Sequence, residues 1–174
     1  MTSLSPALLT IPFFTDDRGS FSKPFHPGLA SATGFAIAEL YWTKSDRGAV
    51  RGLHFQTPPH AVNKLVWVSK GAIVDVVVDL RSGESYGSVS VYEVSADVGA
   101  AVWVPDGFAH GFQALSDDAI VNYAVDKGYA PEHDTGVLWS SIDFDWPLPV
   151  TAMSDRDKGF STLAEFDTPF HPAT

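Results

Sequence analysis

Ala72-Ile-Val-Asp-Val-Val-Val-Asp-Leu80 is the run on which the fold turns. Its β-branched residues suit a pleated, buried backbone, and its length fits one strand rather than a helix. Side chains alternate across a strand, so Asp75, Val77 and Asp79 share a face and a carboxylate points where its neighbours are apolar. Lys70-Gly71 supplies a turn just before it. Upstream of that turn Lys64, Val66 and Val68 face one way, and Leu65, Trp67 and Ser69 the other. Working outward, residues 35–43, 88–95, 100–104, 112–116 and 119–125 read as further strands. Asp16-Asp17-Arg18-Gly19-Ser20-Phe21 reads as a turn entering a short one. Strands at intervals of roughly eight to twelve residues, divided by turn residues, make an all-β sandwich or barrel.

Residues 1–10 carry little pattern and are expected to form an edge segment that packs elsewhere on the protein or on a partner. Pro24-Phe25-His26-Pro27-Gly28 is expected to be irregular, because proline fixes φ and removes a backbone donor. No amphipathic helix longer than two turns is expected before the C-terminal region, where residues 155–166 read as a short helical segment. Beyond about 166 the tail reads as loose. No linker or repeat divides the chain, so residues 1–174 are expected to form a single domain.

Hydrophobic residues make up 45% of the chain, with twelve Phe and five Trp, which supports a well-packed core. The formal net charge of −10 argues against nucleic acid or an anionic membrane as partner, since both need a basic field. It leaves room for one small phosphorylated ligand, because a few local Arg and Lys dominate at short range. Without cysteine, neither a disulfide framework nor thiolate chemistry is available. No basic start leads into an apolar run, and no stretch of about twenty apolar residues could span a membrane, so a cytoplasmic location is expected.

Arg51-Gly-Leu-His-Phe-Gln56 sets a histidine between an arginine and, at Lys64, a lysine. Pro105-Asp-Gly-Phe-Ala-His110 places a second histidine behind a tight turn, where a strand would enter a barrel of the cupin or jelly-roll class. Metal-binding cupins use two histidines one residue apart plus a carboxylate. Gly52 and Gln56 occupy those positions around His54, so no metal is expected. Imidazole titrates at about 6.5, which suits a general base. Lys64 lies on an apolar strand face, where lysine is rare unless it has a task. His26, His60, His133 and His171 lack such context and read as structural, as does the pair Asp79 and Arg81 at a strand end. The tryptophans read as core, with Trp42 a candidate for the ligand mouth.

Taken in order, Arg51-Gly-Leu-His-Phe-Gln56, Lys64, Val74-Asp-Val-Val-Val-Asp79, Ala109-His-Gly-Phe112, Tyr123, Tyr129-Ala-Pro131, Asp145-Trp-Pro147 and Ser154-Asp-Arg-Asp157 form a series. Together they resemble the dTDP-4-dehydrorhamnose 3,5-epimerase family over about residues 17–157. The resemblance implies a cupin or jelly-roll barrel and a cofactor-independent isomerase. Its substrate would be a nucleotide-diphospho-4-keto-6-deoxyhexose, inverted at C3, C5 or both in deoxysugar or polysaccharide biosynthesis. A ketone acidifies the hydrogens on the carbons beside it, so inversion asks for a base, an acid across the ring and a cation for the enolate oxygen. By resemblance His54 is the base, Asp157 the carboxylate that orients it, Tyr123 the acid and Lys64 the enolate partner. His110 with Asp75 would line the cavity, Arg18 and Arg51 would hold the diphosphate, and Tyr129 and Arg156 would add substrate contacts. The resemblance further implies a homodimer in which an N-terminal strand joins the partner's sheet.

The chain departs from the family's pattern on the nucleotide side. Beyond Phe21, Lys23 stands where glutamate is usual; Glu39-Leu-Tyr41 replaces Gln-x-Asn, and Asp134 replaces glutamate. Phe21, Lys23, Glu39 and Asp134 are therefore substrate-binding candidates that bear on which nucleotide is accepted. The same residues admit two other readings, a sugar-nucleotide 3,4-ketoisomerase and a non-catalytic cupin that binds a sugar nucleotide.

Overall fold

The computed structural model describes residues 5–171. In chain order the strands are β1 (Ala7–Thr10), β2 (Phe13–Asp16), β3 (Gly19–Ser22), β4 (Glu39–Ser45), β5 (Val50–Gln56), β6 (Lys64–Lys70), β7 (Ala72–Asp79), β8 (Val89–Ser95), β9 (Ala100–Val104), β10 (Phe108–Ala114), β11 (Ala119–Val125) and β12 (Asp134–Gly136). A short helix α1 (Pro27–Thr33) precedes β4, and α2 (Asp155–Lys158) follows β12, with a 3-10 turn at Leu163–Glu165.

Two five-stranded antiparallel sheets result, in the orders β1-β9-β6-β11-β4 and β12-β5-β10-β7-β8, beside a separate β2–β3 hairpin. Between the sheets, Val66, Val68, Val102, Val104, Val121 and Tyr123 from the first meet Ile73, Val77, Val94, Phe108 and Phe112 from the second. This is the double-sheet jelly-roll arrangement, an all-β cupin-like barrel. Part of each sheet's outer face is also covered. Leu53, Phe55, Val76, Val78 and Ala109 pack under the C-terminal segment through Val137, Ile142 and Phe170. Leu65, Trp103 and Ala124 pack with Ile11 and Phe35, and with the partly buried Phe25 and Leu29. A strand buried on both sides has no polar face, which is why β7 reads as an almost unbroken apolar run.

Several boundaries differ from expectation. Pro27 does not keep its segment irregular; it opens α1, where the missing N–H costs nothing, and Gly34 closes the helix in the left-handed region at φ 69°. Residues 35–38 stay outside β4, because the Phe35 ring is edge-on to Phe25 and Trp103 at 6.0 and 5.2 Å. β10 starts at Phe108 rather than 112 and ends at Ala114, since it pairs on both sides with β5 and β7. Residues 155–166 break into two pieces, α2 ending at Gly159 before the 3-10 turn. The tail is docked as far as His171: the Thr168 hydroxyl donates to the Leu80 carbonyl, Ser82 N–H to the Phe170 carbonyl, and the Phe170 ring is buried. At the other end Ala7–Thr10 does form an edge strand, on β9 of the same chain; residues 1–4 lie outside the described residues. Among the described residues no helix is long and apolar enough to cross a membrane.

β5 and β10 approach closely because glycine faces glycine. A Cβ at Gly111 would lie 2.6 Å from the Arg51 carbonyl oxygen and 2.8 Å from a Leu53 methyl. Gly111→Ala is therefore expected to destabilise the fold by about 2 kcal/mol or more through overpacking. Urea unfolding checks this; an unchanged midpoint would contradict it.

Candidate active site

A cavity of about 420 Å³ opens between the sheets. β5 supplies Arg51, His54 and Gln56 to its wall through a local irregularity. His110 lies opposite His54 but Phe112 lies opposite Arg51, so β5 carries one extra residue against β10. Gly52, at φ +129°, sits in that bulge. In a regular strand residues 51 and 54 point to opposite faces; the extra residue turns both toward the cavity.

His54 is fixed from behind. Its Nε2 is 2.8 Å from Asp157 Oδ1, while the Gly52 N–H donates to Asp157 Oδ2 at 3.1 Å. Asp157 is positioned by α2, whose capping Ser154 Oγ accepts from the Asp157 N–H at 3.0 Å. Burial works to raise the Asp157 carboxyl, but the hydrogen bonds from His54 and Gly52 outweigh it and hold the group below the usual range. Asp157 is thus a carboxylate acceptor facing Nε2, and the imidazole tautomer that donates Nε2–H to it carries its lone pair on Nδ1.

A second pair sits deeper. His110 Nε2 lies 2.7 Å from Asp75 Oδ2, with both side chains buried. The other Asp75 oxygen is buried without a hydrogen-bond partner. Lys64 on β6 is only 8% exposed, and its ammonium donates to the His54 carbonyl at 3.0 Å. Burial pushes the Lys64 ammonium down to about 8, although Asp134 and Asp75 pull the other way.

From the facing sheet, Tyr123 on β11 reaches the same cavity. Burial holds its phenol well above the usual range, with the Thr43 hydroxyl and Arg51 offsetting part of the effect. Directly opposite on β4 is Tyr41, whose ring is stacked on that of Tyr123 at 4.7 Å and 13°. Burial, then Asp134 and Glu39, push the Tyr41 phenol up to about 12.

The mouth is held by polar contacts from strand residues to each other and to the segments around Tyr129 and Arg156. Glu39 accepts from the Tyr129 N–H at 2.9 Å, and Gln56 accepts from the Ala130 N–H at 2.7 Å. Arg156 pairs with Asp134 at 2.7 Å. Arg51 Nε donates to Ser45 Oγ at 2.8 Å and its Nη2 to the Lys44 carbonyl at 3.0 Å. Among the described residues no three His, Asp or Glu side chains converge as metal ligands would.

Of the residues singled out from the sequence, Glu39, Arg51, His54, Lys64, His110, Tyr123, Tyr129, Asp134 and Arg156 line this cavity, and Asp75 and Asp157 stand directly behind its two histidines. Arg18, Phe21 and Lys23 do not reach it within the chain. They belong to the β2–β3 hairpin, where Arg18 is 90% exposed beside Asp16 and Phe21 stacks on Phe14 in the open. Trp42 is not at the mouth either; it points outward from β4 and is 63% exposed. Tyr41, Thr43 and Lys127 were not among the site candidates yet line the cavity. Tyr41 and Thr43 follow from Glu39 by the two-residue period of β4, whereas Lys127 lies beyond a strand end, where no periodicity applies. Asp79 and Arg81 make a turn pair at 2.6 Å, and His133 is bound to Thr57 at 2.9 Å.

The arrangement has counterparts in known proteins. The family model described as dTDP-4-dehydrorhamnose 3,5-epimerase matches residues 4–165. A dTDP-4-dehydrorhamnose 3,5-epimerase of Sinorhizobium fredii is 43% identical, over 90% of this chain and 84% of its own length. The crystal structure of the Bacillus anthracis dTDP-4-dehydrorhamnose 3,5-epimerase with TDP and PPi bound has 36% identity and a TM-score of 0.86, covering 93% of this chain and 96% of that one. A 3'-monoepimerase from Streptomyces bikiniensis, solved with dTDP-quinovose, has 29% identity and a TM-score of 0.85 over 94% of this chain and 86% of its own. A likeness that extends through nearly the whole length, in sequence as in fold, makes this chain a member of the dTDP-4-dehydrorhamnose 3,5-epimerase family, and an isomerase.

Proposed function

We propose that the cavity binds a nucleotide-diphospho-4-keto-6-deoxyhexose and inverts C3, C5 or both by proton removal and return through an enolate. The observation that carries this is that His54 and Tyr123, from facing sheets, line one cavity into which the buried Lys64 also projects. His54 Nδ1 takes the proton from the carbon beside the ketone, and the electron pair moves to the ketone oxygen. The Lys64 ammonium stabilises that oxygen, a contact stronger in a water-poor cavity than in bulk. Tyr123 delivers its phenolic proton to the opposite face of the carbon. Its raised pKa keeps it protonated until the carbanion is there to receive the proton. The cycle closes when the phenolate regains a proton and His54 releases one to solvent. Asp157 steadies the imidazolium in between. These are proton transfers alone and call for no cofactor.

Arg51, Tyr129 and Arg156 lie at the mouth, where a diphosphate and a nucleoside would extend. Arg18, Phe21 and Lys23 enter the reading through a homodimer, in which the exposed hairpin of one copy reaches the mouth of the other. The Phe14–Phe21 pair, 63% and 57% exposed, supports such a contact. A diphosphate does not cross a bilayer unaided, so the enzyme is placed in the cytoplasm with its nucleotide-linked substrate.

Incubation with a dTDP-linked 4-keto-6-deoxyhexose in deuterated water tests the reading. Deuterium is expected at C3, C5 or both by NMR and mass spectrometry. Saturable binding without exchange would point to a binding module instead, and a 3-keto product to a ketoisomerase. Thermal shifts with dTDP, UDP, CDP and GDP rank the nucleotides, since a ligand bound only by the folded state raises the melting temperature.

A further inference from the structure

We infer that Tyr41 is a positioning residue that holds the Tyr123 phenol against a single ring carbon, so that proton return strongly favours one of C3 and C5. The inference rests on the epimerase reading and adds to it which centres turn over. C3 and C5 flank the ketone carbon on opposite sides. One base and one acid serve both carbons only if the sugar turns within the cavity or the acid moves. Tyr123 is poorly placed to move: it is 6% exposed, and Tyr41 lies directly across the β4–β11 pair with its ring nearly parallel at 4.7 Å. The His110 ring packs edge-on to Tyr123 at 6.1 Å and is itself tied to Asp75. Swinging the phenol would break the stack, and stacked aromatic pairs across a strand ladder resist that.

Tyr41 acts on the sugar's freedom as well. It lines the cavity, so its ring occupies space in which a hexose would have to rotate. The role rests on the ring face that Tyr41 lays against Tyr123 and not on its hydroxyl, and Tyr41→Phe separates the two. A planar ring at this position therefore restricts both routes by which the second carbon would be served.

The test follows deuterium incorporation at C3 and C5 over time in wild type, Tyr41→Phe and Tyr41→Ala, with a dTDP-linked 4-keto-6-deoxyhexose. Wild type is expected to exchange one carbon at least tenfold faster than the other. Tyr41→Phe keeps the stack and should keep that ratio. Tyr41→Ala should bring it at least threefold closer to one. Both rates come from the same sample, so a loss of folded enzyme scales them together and leaves the ratio intact. Should alanine not fold, Tyr41→Leu keeps apolar bulk on β4 without a planar face and takes its place. Equal exchange at both carbons in wild type, or an unchanged ratio in the alanine or leucine variant, overturns the inference and leaves the epimerase reading standing. No exchange at either carbon in wild type overturns that reading and the inference with it.

Discussion

Replacing His54 with alanine is expected to slow deuterium exchange into the sugar by about 10³–10⁴-fold, the upper part of the range for a general base. Little else in the cavity can take over. His110 is engaged with Asp75 at 2.7 Å, and Lys64 is protonated below about 8. Asp157→Asn should cost about 10²–10⁴-fold, because an amide can present either its oxygen or its NH₂ to Nε2 and no longer enforces one tautomer. Since the pair acts as a unit, the double variant should be little slower than His54→Ala alone. Asp157 also carries an acid-stability signature. Its folded pKa is depressed, so its contribution is fully present above the unfolded value of about 3.8 and is lost as pH falls through the lower folded value. Asp157→Asn should flatten that part of the stability–pH curve. Single-turnover rates and urea midpoints across pH check both statements, and a His54→Ala variant retaining a tenth of wild-type exchange would dismiss the assigned base.

Lys64→Met is expected to do two opposite things. Removing the cation at the enolate oxygen should lower the exchange rate by about 10²–10³-fold. The same change should make the protein more stable. Burial has lowered the Lys64 ammonium from 10.5 to about 8, which corresponds to a cost of about 3 kcal/mol at neutral pH. The variant forfeits the hydrogen bond to the His54 carbonyl, worth about 1 kcal/mol, so a net gain of about 2 kcal/mol remains. The pH dependence has a definite sign. With the folded pKa below the unfolded one, the unfolded chain binds more protons between about 8 and 10.5, so wild-type stability rises across that window. Over the same range the wild-type rate should fall as the ammonium deprotonates. In Lys64→Met both slopes should vanish. A variant that is less stable and still fast would show that Lys64 is a structural cation with no part in the chemistry.

Much of this was legible in the sequence, for reasons that differ by element. The two-residue period around Lys64, Val66 and Val68 is enough to set the lysine on an apolar strand face, and the β-branched run of residues 72–80 is enough to mark β7 as a strand. Position along a strand is a local property, so it can be read from one stretch. The hairpin residues Arg18, Phe21 and Lys23 were named from their motif, but the chain folds them away from its own cavity. Motif order says nothing about where the fold carries a hairpin relative to the cavity. In the sequence Tyr41 stands out only as a departure from a pattern. Its stack on Tyr123 depends on the β4–β11 register, which neither strand encodes alone. The docking of the tail is not legible locally, because Phe170 gains its burial from Leu80 and Phe55, residues far from it in sequence.

The extra residue in β5 makes that strand unusually sensitive to length. Deleting a single position at 52 or 53 would restore a regular ladder and, in one step, send either the guanidinium or the imidazole to the side packed beneath the C-terminal segment. Tuning of this wall must therefore proceed by swapping side chains at fixed spacing rather than by insertion or deletion.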